Sequence, residues 1–142
     1  MTFSFRPLKE IGLSWFNPSH SGALAANDYL TLTVGDTNDL SITGTGTTTL
    51  TFPPGKYHLR ATLGGYKTNL TDSIEYQWEV GGTLQGNTGS WDTSTSRKMT
   101  CEYAEVVFEA TSNTNVKLKC LTTSGSNSLT SNVSGVFVRG SQ

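Results

Sequence analysis

Two histidines, two cysteines and a few pairs of carboxylates are the side chains of this 142-residue sequence that invite a chemical reading. His20 and His58 stand far apart, and no Cys/His/Asp set has the spacing a metal centre needs. His58 falls on the polar side of an alternating segment, where an exposed or interface histidine is expected rather than a general base. Glu75 and Glu79 share a face if extended, but the rise per residue puts them about 13 Å apart at the backbone. That is wide of the roughly 5 to 9.5 Å between the carboxyls of a glycosidase pair. Glu102 and Glu105 sit among other charges that read as solvated. No G-x-S-x-G elbow, phosphate loop or H-E-x-x-H helix occurs. Asp36, Asn38 and Asp39 lack the full spaced oxygen set of a calcium loop and read as a turn. The expectation is a protein without catalytic, metal or cofactor residues, and not an enzyme.

Charge narrows the partners. Ten Lys and Arg against eleven Asp and Glu give a net charge of −1, with no electrostatic footprint for nucleic acid. No apolar run approaches the roughly 18 residues of a membrane span. The opening MTFSFRPLKEIG lacks the apolar stretch of a secretory leader. On that ground Cys101 and Cys120 are expected to be reduced, buried thiols. The sequons Asn69-Leu70-Thr71 and Asn132-Val133-Ser134 are read as chance matches.

What must position any surface here is β-structure. Hydrophobic content is 35% with 15 glycines, and Thr and Val recur between Ser/Gly/Asn-rich stretches. After the break Pro53-Pro54-Gly55, Tyr57, Leu59, Ala61 and Leu63 alternate with Lys56, His58, Arg60 and Thr62. That period of two marks a strand with one face on a core. Ile74, Tyr76, Trp78 and Val80 alternate likewise, and Gly81-Gly82 signals a hairpin into a short return at 83–85. Shorter strands are expected at 29–34, 40–42 and 48–52, with 35–39 a turn. Residues 87–96 read as a polar loop carrying Trp91, a ring either tucked beneath the loop or offered to a ligand. In 98–110 the alternation slips near Ala104, which suggests a bulge or a strand covered on both faces. Val116, Leu118 and Cys120 alternate again, and 132–139 puts Val136, Phe137 and Val138 on both faces, as a central strand would.

Residues 1–28 have no steady period and are set apart from a domain at 29–142. Two readings stand: an ordinary first strand (3–8) with a loop folded onto the body, or an extended arm that grips another molecule through Phe3, Phe5, Leu8, Trp15 and Phe16.

About nine short strands without helical periodicity point to a two-sheet antiparallel sandwich. An immunoglobulin pattern fits poorly, since all three tryptophans precede Cys101. Pro54-Gly55-Lys56-Tyr57-His58-Leu59, with Val133-Ser134-Gly135-Val136-Phe137-Val138 near the end, resembles the paired signature of the TNF/C1q-like jelly rolls. Val133 and Val136 stand where that family carries larger aromatics. The resemblance covers about residues 48–139 and implies an all-β, two-sheet antiparallel jelly-roll sandwich, here with an N-terminal extended arm. It also implies a homo-oligomer, trimer over dimer, with one sheet toward the threefold axis and the last strand at its centre. Tyr76, Trp78, Val136, Phe137 and Val138 are the expected interface.

Function is then expected from this architecture and not from chemistry. The first expectation is a viral structural protein, a decoration or cement protein of a bacteriophage. It would be made in the host cytoplasm, bind the major capsid protein on the virion surface, and use no cofactor, nucleic acid or membrane. The alternative is a receptor- or carbohydrate-binding tip module of a tail fibre or spike, with Tyr66, Trp78 and Trp91 as stacking rings. A secreted cytokine-like ligand is the third.

Overall fold

The computed structural model describes residues 10–64, 73–93, 99–124, 129 and 134–142. Ten strands form among them: β1 (Gly12–Ser19), β2 (Thr31–Asn38), β3 (Leu50–Phe52), β4 (Gly55–Thr62), β5 (Ser73–Val80), β6 (Thr83–Thr93), β7 (Met99–Glu102), β8 (Ala104–Ala110), β9 (Thr114–Ser124) and β10 (Gly135–Ser141). They make two five-stranded sheets, ordered β2-β1-β10-β4-β8 and β3-β9-β5-β6-β7, with every named strand pair antiparallel. The all-β, two-sheet sandwich expected from the alternation is what forms, and β10 lies at the centre of its sheet.

Parity explains the core. Tyr57, Leu59 and Ala61 of β4, Ile74, Tyr76, Trp78 and Val80 of β5, Val116, Leu118 and Cys120 of β9, and Val136 and Val138 of β10 all point inward and are buried. Near one end Phe52, Tyr57 and Phe108 meet at ring-centroid distances of 4.9 to 5.6 Å, with Phe52 edge-on to both partners. The Tyr57 hydroxyl donates to the Pro53 carbonyl at 2.6 Å, and burial pushes its phenol pKa upward. Burial also lifts the Cys120 thiol to about 11, with the Asp28 charge adding to the effect.

Several boundaries differ from the expectation. Residues 35–38 continue β2 instead of turning, while Leu40 and Ile42 are buried outside any strand. The expected loop from 87 carries β6 on through Thr93. Gly86, with φ near +78°, and Gly89, under the Tyr76 ring, supply a left-handed kink and a close approach within that strand. The slip near Ala104 is a change of sheet. β7 closes one sheet and β8 the other, with Tyr103 alone between them. The two inward rings of β5 hold this crossing: the Tyr76 hydroxyl donates to the Glu102 carbonyl at 2.8 Å and the Trp78 indole N–H to the Ala104 carbonyl at 2.9 Å.

The N-terminal division also changes. β1 pairs with β2 on one side and β10 on the other, Gly12 opposite Gly140 and Phe16 opposite Val136, so Gly12–Ser19 is a strand of the sandwich. Phe16 is fully buried in the core, because its parity on β1 turns it inward while Trp15 turns outward. It is therefore no part of a gripping arm. Phe3, Phe5 and Leu8, like Tyr66, Asn69 and Asn132, lie outside the described residues.

Candidate functional site

The expected interface residues separate by strand parity. Tyr76, Trp78, Val136 and Val138 are all 0% exposed inside a single subunit, so their place is corrected from interface to core. Phe137 alone of that set faces outward, half-buried. Trp91 is buried too, which removes it as a stacking ring.

The outward face of the β2-β1-β10-β4-β8 sheet is where the exposed apolar groups gather. Val107 is 75% exposed, Ile11 67%, Leu13 41% and Trp15 37%. Leu13 and Trp15 follow from the period of β1, and Arg139 and Phe137 are their respective neighbours on β10. Trp15 lies across the sheet from Gly35 on β2 to Gly135 on β10; a Cβ at either glycine would run into its ring. Its indole N–H donates to Asn17 Oδ1 at 3.2 Å, and its ring stands 6.5 Å from that of Phe137 at 53°. Two glycines on flanking strands thus make the floor on which the indole rests, a pairing legible only once the register is known.

Toward β4 and β8 the same face turns polar. Lys56, His58 and Arg60 alternate outward along β4. Arg60 Nε binds Glu105 Oε1 at 2.6 Å, and the Arg60 guanidinium sits 4.7 Å from the centre of the Tyr103 ring. The ion pair is well exposed, so it adds no more than about 1 kcal/mol. His58 Nε2 is 3.8 Å from Glu105 Oε2. A hollow of about 220 Å³ opens beside it, lined by Ile11, Lys56, His58, Val107 and Arg139 among others.

The other sheet presents a different exterior. Glu75, Gln77, Glu79, Lys117 and Lys119 face outward there, with Leu84 an exposed aliphatic. Two carboxylates on this face serve in structural bonds: Glu79 accepts from the Tyr29 hydroxyl at 2.9 Å and Glu75 from Thr122 at 3.0 Å. His20 Nε2 meets Asp28 Oδ2 at 3.0 Å, and that same oxygen accepts the Ala25 N–H, so the pair fastens the turn after β1. Among the described residues no group of three or more His, Cys, Asp and Glu is placed to hold a metal ion. No helix of the described residues is long and apolar enough to cross a membrane.

No family model and no curated protein matches the chain. Solved structures do. Murine APRIL at pH 5.0 superposes with a TM-score of 0.62 over 90% of this chain and 98% of its own, at 11% identity. The same protein at pH 8.0 gives 0.59 over the same shares, at 10% identity. The globular domain of zebrafish complement 1qA gives 0.56 over 89% of this chain and 94% of its own, at 12% identity. Similarity at this level of identity is similarity of fold: the sandwich is a TNF/C1q-like jelly roll, as the Pro54–Leu59 and Val133–Val138 segments suggested.

Proposed function

We propose that the chain is a non-catalytic structural module that self-associates, as a trimer, through the outward face of the β2-β1-β10-β4-β8 sheet, and that it serves as a decoration protein on a bacteriophage capsid. One observation carries the self-association: Leu13, Trp15, Phe137, Ile11 and Val107 share a single sheet face, while β5 and β9 of the opposite sheet turn mainly charged and polar groups outward. Apolar groups gathered on one face mark an interaction surface. The threefold arrangement comes from the TNF/C1q-like resemblance, which puts one sheet, with its last strand central, toward the axis. The capsid role fits a domain in which Glu75, Glu79 and the His20–Asp28 pair serve in structural contacts, since cementing a shell requires buried area and no reaction.

Sedimentation of the intact chain tests the first part. The native protein should run as a trimer, and Phe137→Asp as a folded monomer, because a carboxylate beside Trp15 would lose its water in the assembly. A native protein that stays monomeric at high concentration would overturn the reading. The second part is tested by a stoichiometric band of this chain in purified virions; its absence from particles would remove the capsid role and leave the trimer standing.

A second reading has one observation in its favour. The exposed Trp15 ring, with Asn17 beside it, is the kind of platform on which a sugar ring stacks. A tip module would keep Trp15 open in the assembled state, and Trp15→Ala would then abolish glycan binding without changing the mass.

A further inference from the structure

We propose that His58 makes association through this sheet pH-dependent: copies assemble while the imidazole is neutral and separate when it gains a proton. The inference rests on the self-association reading above.

The surroundings of His58 can be taken strand by strand. On β4 itself Lys56 and Arg60 stand two residues to either side, on the same face. On β10 Arg139 is directly opposite. On β8 Val107 is directly opposite, with Glu105 across from Arg60 and Glu109 across from Lys56. Before β1, Ile11 closes the hollow, and the acid beside it, Glu10, lines the neighbouring hollow instead. Protonated, His58 would therefore join three cations facing two carboxylates. Glu105 is already engaged by Arg60 through its nearer oxygen, and its other oxygen is 3.8 Å from His58 Nε2.

The second nitrogen sharpens the point. Nδ1 of His58 is buried and has no hydrogen-bond partner among the described residues. In the neutral ring with its proton on Nε2, toward Glu105, Nδ1 carries only a lone pair. The imidazolium must place an N–H there, with no acceptor among the described residues. In a free subunit, water around the hollow still screens the excess positive charge. A second copy laid over Ile11, Val107 and Phe137 expels that water, and desolvation together with like charge disfavours the protonated form.

Linkage then sets the sign. The assembled state holds the proton less tightly than the free subunit does. Association is therefore complete above the free subunit's titration and is lost as the pH falls through it, by up to about tenfold per pH unit for each subunit. Histidine is the side chain that ordinarily titrates in the range between about pH 5 and 8. The sequence contains two. The other, His20, is paired with Asp28 in the turn after β1 and serves as the control.

The experiment is sedimentation velocity of the full chain across a concentration series at about pH 8 and about pH 5.5, at constant ionic strength, with circular dichroism verifying the fold at both. The native chain and His20→Gln should dissociate at least about tenfold more readily at the lower pH. His58→Gln should assemble alike at both, and Arg139→Gln, which removes the cation opposite, should shrink the pH effect. Assembly as tight or tighter at the lower pH, or an undiminished pH effect in either His58→Gln or Arg139→Gln, would overturn the switch while leaving self-association intact. A native chain monomeric at both pH values would overturn both.

Discussion

Removing a single oxygen atom separates a core position from an interface position at Tyr76. Its ring is fully buried, and its hydroxyl binds the carbonyl of Glu102, the last residue of β7, one residue before the chain changes sheet. Tyr76→Phe keeps the ring and leaves that partly buried carbonyl with one donor fewer. The expected loss is about 1–2 kcal/mol, since the cost is mostly the desolvated acceptor left behind. Trp78→Phe removes the N–H held by Ala104, the first residue of β8, and leaves a void where the larger ring stood; about 3 kcal/mol is expected. Both side chains hold the same one-residue crossing, so the double variant should depart from additivity by about 0.5 kcal/mol or more. Urea unfolding at fixed protein concentration reads these values, because association itself shifts apparent stability. A thermal scan of Tyr76→Phe should show a midpoint lowered by about 3–7 °C, with the assembled mass unchanged. Tyr76→Phe within about 0.5 kcal/mol of the native protein, the range of ordinary surface changes, would refute the reasoning. So would a lost assembly with subunit stability intact, since that would return the ring to a subunit contact.

Two further outcomes follow from the same geometry. Gly86→Ala should destabilise by more than 1 kcal/mol in urea unfolding: the residue holds φ near +78°, and a Cβ would overlap the Glu105 carbonyl and stand 3.0 Å from the Val106 Cβ. In a Cys101→Ser background the Cys120 thiol should resist iodoacetamide at mildly alkaline pH until denaturant is added, because burial holds its pKa near 11. The sign follows from the same shift. Cys120 favours the folded state fully below its ordinary value of 9.0, and that contribution is lost as the pH rises from there to about 11, which a pH series of urea midpoints would read.

The strands with unbroken alternation were legible in full. β4 and β5 stand where Tyr57–Leu63 and Ile74–Val80 placed them, and the apolar run Val136–Val138 identified the centre of a sheet. Glycine misled in β6, where Gly86 and Gly89 resemble a loop by composition but serve as a kink and a close approach. The slip at Ala104 was visible, yet alternation carries no information about which sheet a strand joins. The surface was the harder part. Period two divides a strand into two faces and leaves unsaid which of them meets the strand's own partner sheet, so Tyr76, Trp78, Val136 and Val138, expected at an interface, prove to be core, while Phe137 faces outward. Trp15 and Phe16 needed the register of β1, because Gly12 and Pro18 break the local pattern.

One consequence of the strand order concerns synthesis. β10, made after the other nine described strands, inserts between β1 and β4, which precede it by far in the chain. Until it arrives, each of those strands offers a row of unpaired amides and carbonyls to any passing chain, the hazard of an open edge. Completion waits on the most sequence-distant strand pairing among the described residues, Gly12 with Gly140, which slows folding in the way remote contacts do. A nascent chain of this kind spends its riskiest interval with a gap in the middle of its sheet, and whatever shields that gap during translation governs how much native protein a cell obtains.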